Sequence, residues 1–108
     1  MSRALLIAPA WLGQSGLWTL DAKGRRSAVD AEDVGLSEDL ADRLEAWMDA
    51  FDAIYDEDAE ARSRFPSDAE QRAWEAEGHA ITAAVVAELG AGWSVFADLT
   101  GWQEMTKP

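Results

Sequence analysis

The chain of 108 residues has no cysteine and only one histidine, His79. Without cysteine it can form no disulfide, no thiolate metal site and no cysteine nucleophile. His79 falls within a helical pattern and has no nucleophile-elbow motif beside it, so a Ser–His–acid arrangement is not indicated. The sequence therefore predicts no catalytic residue.

Long hydrophobic runs are also missing. The apolar stretch over residues 4–12 contains Pro9 and Trp11 and leads into further apolar sequence without a convincing cleavage site, which argues against a signal peptide. It is also far shorter than the roughly 20 residues that a membrane-spanning helix needs. We therefore expect a cytoplasmic protein with no membrane association.

Basic residues are scarce and unevenly placed. Lys and Arg number 9 against 21 Asp and Glu, for a formal net charge of −12, and Arg43 is the only base over residues 27–61. This excess of negative charge creates an electrostatic field that repels nucleic acid and anionic membranes, whereas it attracts basic proteins and cations. Six tryptophans and 48% hydrophobic residues argue against disorder. The composition predicts one folded domain, residues 1–108, whose partner is a basic protein rather than nucleic acid.

Residues 37–56 carry two stripes when they are wound as a helix. The apolar stripe, spaced by three and four residues, predicts a helix that packs on a core; it consists of Leu40, Leu44, Trp47, Phe51 and Ile54. An acidic stripe lies roughly 160° around the axis at about 100° per residue; it consists of Glu38, Asp42, Glu45, Asp49, Asp52 and Asp56. Each pair of like charges at such spacings destabilises a helix by about 0.2–0.5 kcal/mol. This arrangement of acidic residues therefore lowers the stability of the predicted helix.

The remaining pattern predicts three strands and a second helix. Residues 3–10 and 17–20 indicate two strands paired as a hairpin, whereas residues 21–26 indicate a turn and 27–35 a polar connection. A capping box at residues 67–70 begins a helix that Gly90 ends, and residues 93–99 follow the two-residue period of a strand. The order β-β-α-α-β predicts an α+β domain: a small antiparallel or mixed sheet with both helices packed on one face.

The acidic stripe has two readings from sequence. It is either a solvated face that favours solubility or a surface that binds the Arg and Lys residues of a partner. Six tryptophans are many for so small a core, and Trp18 and Trp102 are the candidates for an exposed interface anchor. The candidate partner-binding residues are Asp42, Glu45, Asp49, Asp52, Asp56 and Trp18.

A metal or cofactor is not indicated. The carboxylates of the first helix could attract a hard cation, but no second acidic helix is predicted to face them. In the second helix Trp74 lies between Glu70 and Glu77, so the sequence does not predict a four-carboxylate box. We expect no metal site and no cofactor, although a metal-dependent hydrolase that uses the helix carboxylates remains an alternative.

Several packing and capping signals together resemble a known kind of protein. The signals are Gly35-Leu36-Ser37, Leu40, Arg43-Leu44, Trp47, Phe51-Asp52, Phe65-Pro66-Ser67, Trp74, Glu77-Gly78 and Glu88-Leu89-Gly90. Over residues 35–95 the chain is similar to small acidic bacterial proteins that resemble the immunity proteins of polymorphic and contact-dependent toxin systems. The resemblance implies a cytoplasmic protein that blocks a toxin domain, and it carries over no catalytic residue.

The leading hypothesis is therefore a non-enzymatic binding protein that neutralises a basic protein partner, most simply a nuclease-type bacterial toxin. One alternative is a nucleic-acid mimic that inhibits a DNA- or RNA-binding protein. The others are the metal-dependent hydrolase and a structural or oligomerising domain without a separate activity. The sequence does not fix the oligomeric state.

Overall fold

The chain folds into a sheet and two long helices, and the computed structural model describes residues 3–58 and 63–102. The strands are β1 (Arg3–Ile7), β2 (Leu17–Leu20), β3 (Arg26–Ala28) and β4 (Trp93–Ala97). The helices are α1 (Glu38–Asp52) and α2 (Asp68–Leu89), and short 3-10 turns span Ala31–Val34 and Gly90–Gly92. The predicted α+β class is confirmed.

The sheet is mixed and has the strand order β3-β2-β1-β4. β1 pairs antiparallel with β2, where Leu6 lies opposite Trp18, and parallel with β4, where Leu6 lies opposite Phe96. Because β4 runs parallel to β1, the chain must cross over between them, and the two helices lie within that crossover. The predicted hairpin of the first two strands is thus confirmed, and the last strand completes the sheet at the other side of β1.

β3 is the main departure from the predicted elements. Its three residues, Arg26–Ala28, were expected to belong to a turn and a polar connection, but they form an edge strand that pairs with β2. All three residues are exposed, so the strand has no apolar side that would mark it in the sequence. Backbone pairing with β2, rather than side-chain burial, makes it a strand.

Three element ends also differ from the prediction. α1 begins where expected, with the Ser37 hydroxyl accepting a hydrogen bond from the Leu40 N–H, but it ends at Asp52 rather than at residue 56. Beyond it, the N–H groups of Ile54 and Tyr55 bond to carbonyls three residues back, which tightens the chain out of the α-helical path. β1 ends at Ile7 and β4 at Ala97, each shorter than predicted.

The core lies between the helices and one face of the sheet. Leu5, Ile7 and Leu17 from the strands are fully buried together with Phe51 of α1 and Ile81 of α2. Side chains alternate along a strand, so Leu6 and Trp18 lie on the opposite face, outside this core cluster. This arrangement confirms the predicted placement of both helices on one side.

Candidate functional site: an acidic cleft

A cleft of about 440 Å³ opens between α1, the loop that precedes β2 and the 3-10 turn that precedes α1. We call it the acidic cleft. Its lining residues are Gly13, Gln14, Ser15, Leu17, Asp30, Ala31, Glu32, Ala41, Leu44, Glu45, Met48, Asp49 and Asp52.

The charged groups in this lining are all carboxylates. They come from two elements: Asp30 and Glu32 lie at the 3-10 turn, and Glu45, Asp49 and Asp52 lie on α1. Within residues 3–58 and 63–102, none of the five has a Lys, Arg or His nitrogen within 4.0 Å. Their charges therefore add up across the cleft and make it attractive to a cationic group.

The one base on α1 points elsewhere. Arg43 Nε donates to Glu77 Oε2 and Arg43 Nη2 donates to Glu77 Oε1, both at 2.7 Å, which ties α1 to α2 in a bidentate pair. The guanidinium hydrogen bonds lower the pKa of Glu77 below its usual range, and the same contact raises the pKa of Arg43. Arg43 consequently neutralises a carboxylate of α2 and leaves the cleft carboxylates uncompensated.

The floor of the cleft is apolar. Leu17, Leu44 and Met48 line it and are each at least 97% buried, and Ala31 and Ala41 add further apolar surface. Arg and Lys side chains combine a long apolar stem with a charged end. A floor of aliphatic side chains beneath several carboxylates suits both parts of such a side chain.

Asp52 has a second contact besides lining the cleft. Its Oδ1 accepts a hydrogen bond from the Leu12 N–H at 2.9 Å, and its Oδ2 accepts one from the Gly13 N–H at 3.5 Å. Asp52 thus fixes the loop that forms one wall of the cleft. Asp52 therefore has a structural role as well as lining the cleft.

The structure brings together only some of the predicted binding residues. Glu45, Asp49 and Asp52 line the acidic cleft, whereas Asp42 is exposed on α1 outside it. Asp56 lies beyond the end of α1, where its N–H donates to the Ser63 hydroxyl at 2.8 Å and its carboxylate accepts from the Asp58 N–H at 2.9 Å.

Neither candidate tryptophan joins the cleft. Trp18 is half-buried on the sheet face away from the helices, and its indole N–H donates to the Ala8 carbonyl at 2.9 Å. Trp102, expected to be exposed, is instead 95% buried, and its indole N–H donates to the Leu99 carbonyl. Trp102 is therefore a core residue, and that expectation was wrong.

Asp30 and Glu32 are the cleft residues that sequence reasoning did not select. They lie within residues 27–35, which the sequence pattern predicts as a polar connection. The sequence does contain a signal for this turn: Asp30, Asp33 three residues later, and then Gly35. In the structure the Asp30 N–H donates to Asp33 Oδ2 at 3.0 Å, and Gly35, with φ 82°, ends the turn. This spacing of acid and glycine could have placed a capped turn directly before α1.

No group of three or more Asp, Glu or His residues in the described ranges is placed to share a metal ion. The hydrolase alternative therefore finds no ligand set there. Within the same residues, no helix combines the length and apolarity that crossing a bilayer requires.

One family model matches this chain over most of its length. A family model described as Serratia CdiI immunity protein-like matches residues 8–98. The chain belongs to this family. The matched region contains both helices and every residue that lines the acidic cleft. A search of curated proteins found no match. Membership agrees with the resemblance to immunity proteins that the packing and capping signals indicated.

Proposed function

We propose that this protein is a non-enzymatic, cytoplasmic immunity protein that neutralises a basic toxin domain by binding it through the acidic cleft. The observation that carries the proposal is the set of five uncompensated carboxylates above an apolar floor, in a chain of the immunity-protein-like family. In this proposal Asp30, Glu32, Glu45, Asp49 and Asp52 contact the toxin, and Asp42 contributes to the surrounding field.

The cleft chemistry favours a toxin that acts on nucleic acid. A nuclease holds the phosphate backbone with Arg and Lys side chains, so its active site carries the charge that the cleft attracts. The stem of such a side chain would lie against the half-buried Ala31 and Ala41 while its charged end pairs with carboxylates. Occupying these side chains would exclude the phosphate backbone of the substrate.

Binding would also reduce the electrostatic repulsion among the carboxylates of the free protein. The α1 carboxylates repel one another at spacings of three and four residues, and a cationic partner turns that repulsion into attraction. Complementary charge speeds the diffusional encounter, which suits a protein that must intercept a toxin before it acts. The proposal therefore predicts fast association that slows as salt is added.

A growth assay tests this proposal in cells. A candidate toxin domain, taken from any toxin-type reading frame beside this protein's gene, is induced alone, with the wild-type protein, or with the Glu45→Gln/Asp49→Asn variant. A matched control, Asp39→Asn/Glu75→Gln, removes the same charge from residues that do not line the cleft. We expect the wild type and the control to restore growth and the cleft variant to restore it poorly.

The outcomes separate the leading proposal from the alternatives. Equal protection by the cleft variant at matched expression would remove the cleft from the proposal. Affinity capture that recovers a DNA- or RNA-binding protein of the host or a phage, and no toxin, would favour the nucleic-acid mimic instead. A structural or oligomerising domain would give neither protection nor a captured partner.

A further inference from the structure

Leu12 combines two unfavourable features at the edge of the acidic cleft. Within residues 3–58 and 63–102, it is the one non-glycine residue with a positive φ, at 58°. Its side chain is also 56% exposed, so this large apolar residue has little burial to offset its backbone conformation. The left-handed backbone conformation is unfavourable for an L-residue because its Cβ crowds the following carbonyl oxygen, whereas glycine would adopt it freely.

The neighbouring contacts hold Leu12 in this conformation. The Trp11 ring stacks on the Phe51 ring with centroids 4.1 Å apart, and the Leu12 N–H donates to Asp52 Oδ1. Two successive loop residues are thus held by two successive residues at the end of α1. These two contacts fix the backbone of Leu12 and leave its side chain mostly exposed to solvent.

The Leu12 side chain gains little burial within residues 3–58 and 63–102. Its side chain is mostly solvated, so burial does not offset the backbone strain. Strained backbone that persists because its surroundings impose it is concentrated at functional sites. The next residue along the loop, Gly13, already lines the acidic cleft, so Leu12 lies directly beside the surface proposed for the toxin.

We propose that Leu12 is an apolar anchor for the toxin domain, which presents an apolar patch next to the basic side chains that enter the cleft. This inference rests on the proposed function and specifies the chemistry of the partner. The buried core of a protein interface is more apolar than its polar rim, and a few residues supply most of the affinity. The cleft provides charge complementarity, and Leu12 provides the adjoining apolar contact.

Two substitutions at this position separate the anchor from any folding role. Leu12→Gly relieves the positive φ, and Leu12→Asn keeps a side chain of similar size in a conformation that asparagine tolerates. We expect both variants to be folded, with the thermal midpoint of Leu12→Gly equal to or above that of the wild type. We expect both to bind the catalytically inactivated toxin domain about tenfold more weakly, with an unchanged dependence on salt.

Matched controls identify the cause of any loss. Leu12→Met keeps an apolar side chain of similar volume and should bind nearly as the wild type does. Val86→Ala removes a 50% exposed apolar side chain on α2, outside the cleft, and should leave binding unchanged.

The result can overturn this inference without overturning the proposed function. Wild-type affinity in Leu12→Gly and Leu12→Asn would overturn the anchor, while loss of binding in Glu45→Gln/Asp49→Asn would still support the cleft. Wild-type affinity in that cleft variant, or no complex with the wild-type protein, would instead overturn the proposed function, and this inference with it.

Discussion

The indole rings of Trp47 and Trp74 exchange hydrogen bonds with each other's backbone. Trp47 Nε1 donates to the Trp74 carbonyl at 2.9 Å, and Trp74 Nε1 donates to the Trp47 carbonyl at 3.1 Å. The rings stack with centroids 4.5 Å apart and planes 6° from parallel. Each helix thereby supplies the acceptor for the buried indole donor of the other, which fixes the position of α1 relative to α2. Because α1 carries three of the cleft carboxylates, this pair also helps to position the acidic cleft.

Replacing Trp74 by Phe removes one of these hydrogen bonds and part of the stacked surface. We expect Trp74→Phe to lower the free energy of unfolding by about 2 kcal/mol, since a buried hydrogen bond contributes about 1 kcal/mol and the smaller ring leaves a void. Urea unfolding followed by circular dichroism measures the change. Trp93→Phe, at a half-buried position, is the control and should cost less; equal losses would contradict a special role for the pair.

Gly78 allows α2 to approach its neighbours closely. A Cβ at this position would lie 2.8 Å from Trp47 Cζ2 and 2.9 Å from Leu99 Cδ1, inside normal contact distance. Although alanine favours a helix by about 1 kcal/mol over glycine, we expect Gly78→Ala to destabilise the protein by about 1–3 kcal/mol through overpacking. Thermal unfolding measures this. Gly92→Ala, where a Cβ meets no atom within 4 Å, should be nearly neutral, and a stabilised Gly78→Ala would refute the packing.

Glu88 links the end of α2 to the start of α1 and predicts a pH dependence. Its carboxylate accepts hydrogen bonds from the Ser37 hydroxyl and then from the Ser37 N–H, both at 2.7 Å, and these lower the pKa of Glu88 below its ordinary value of 4.5. A carboxyl whose pKa is lowered by folding stabilises the folded state above its unfolded pKa. That stabilisation is lost as the pH falls below 4.5 and through the lower folded pKa.

The variant Glu88→Gln should therefore be less stable than the wild type near neutral pH, and the two should converge in acid. Thermal midpoints measured from about pH 7 to about pH 3 test this. Glu45→Gln is the control, because it removes the same charge where the described part of the chain offers no hydrogen-bond donor. A constant difference between Glu88→Gln and the wild type across this range would contradict the link.

The acidic cleft predicts a conflict between stability and binding. Glu45 and Asp49 form like-charged pairs with each other and with Asp42 and Asp52 at helical spacings. We expect Glu45→Gln/Asp49→Asn to raise the free energy of unfolding by about 0.6–1.5 kcal/mol at low salt, and by less at high salt because exposed charges are screened. Urea unfolding at both salt concentrations measures the gain. A variant less stable than the wild type would show that these carboxylates stabilise the fold.

Local periodicity predicted the helices and three of the strands because each has an apolar side that must be buried. The stripe of Leu40, Leu44, Trp47 and Phe51 marks α1 clearly, and the Ser67 cap, whose hydroxyl accepts from the Glu70 N–H, marks the start of α2. β3 carries no such stripe, since backbone pairing alone makes it a strand. Its position follows from the pairing of β2 and is not encoded in its own residues.

The cleft could be predicted only on its α1 side. Glu45, Asp49 and Asp52 share one helix face, which sequence spacing predicts, but Asp30 and Glu32 face them only because the preceding turn packs against α1. The dual contact of Asp52 with the cleft and with Leu12 joins residues 40 positions apart. Such juxtapositions depend on the whole fold, so sequence spacing could not give them.

The central claim is that the acidic cleft binds a basic toxin domain, and isothermal titration calorimetry at two salt concentrations tests it most directly. The inactivated toxin domain is titrated into the wild type, Glu45→Gln/Asp49→Asn and the control Asp39→Asn/Glu75→Gln at about 50 and about 300 mM NaCl. We predict that the cleft variant binds at least about tenfold more weakly at low salt and shows a smaller salt dependence than the other two. Equal affinity and equal salt dependence for all three proteins would contradict the claim.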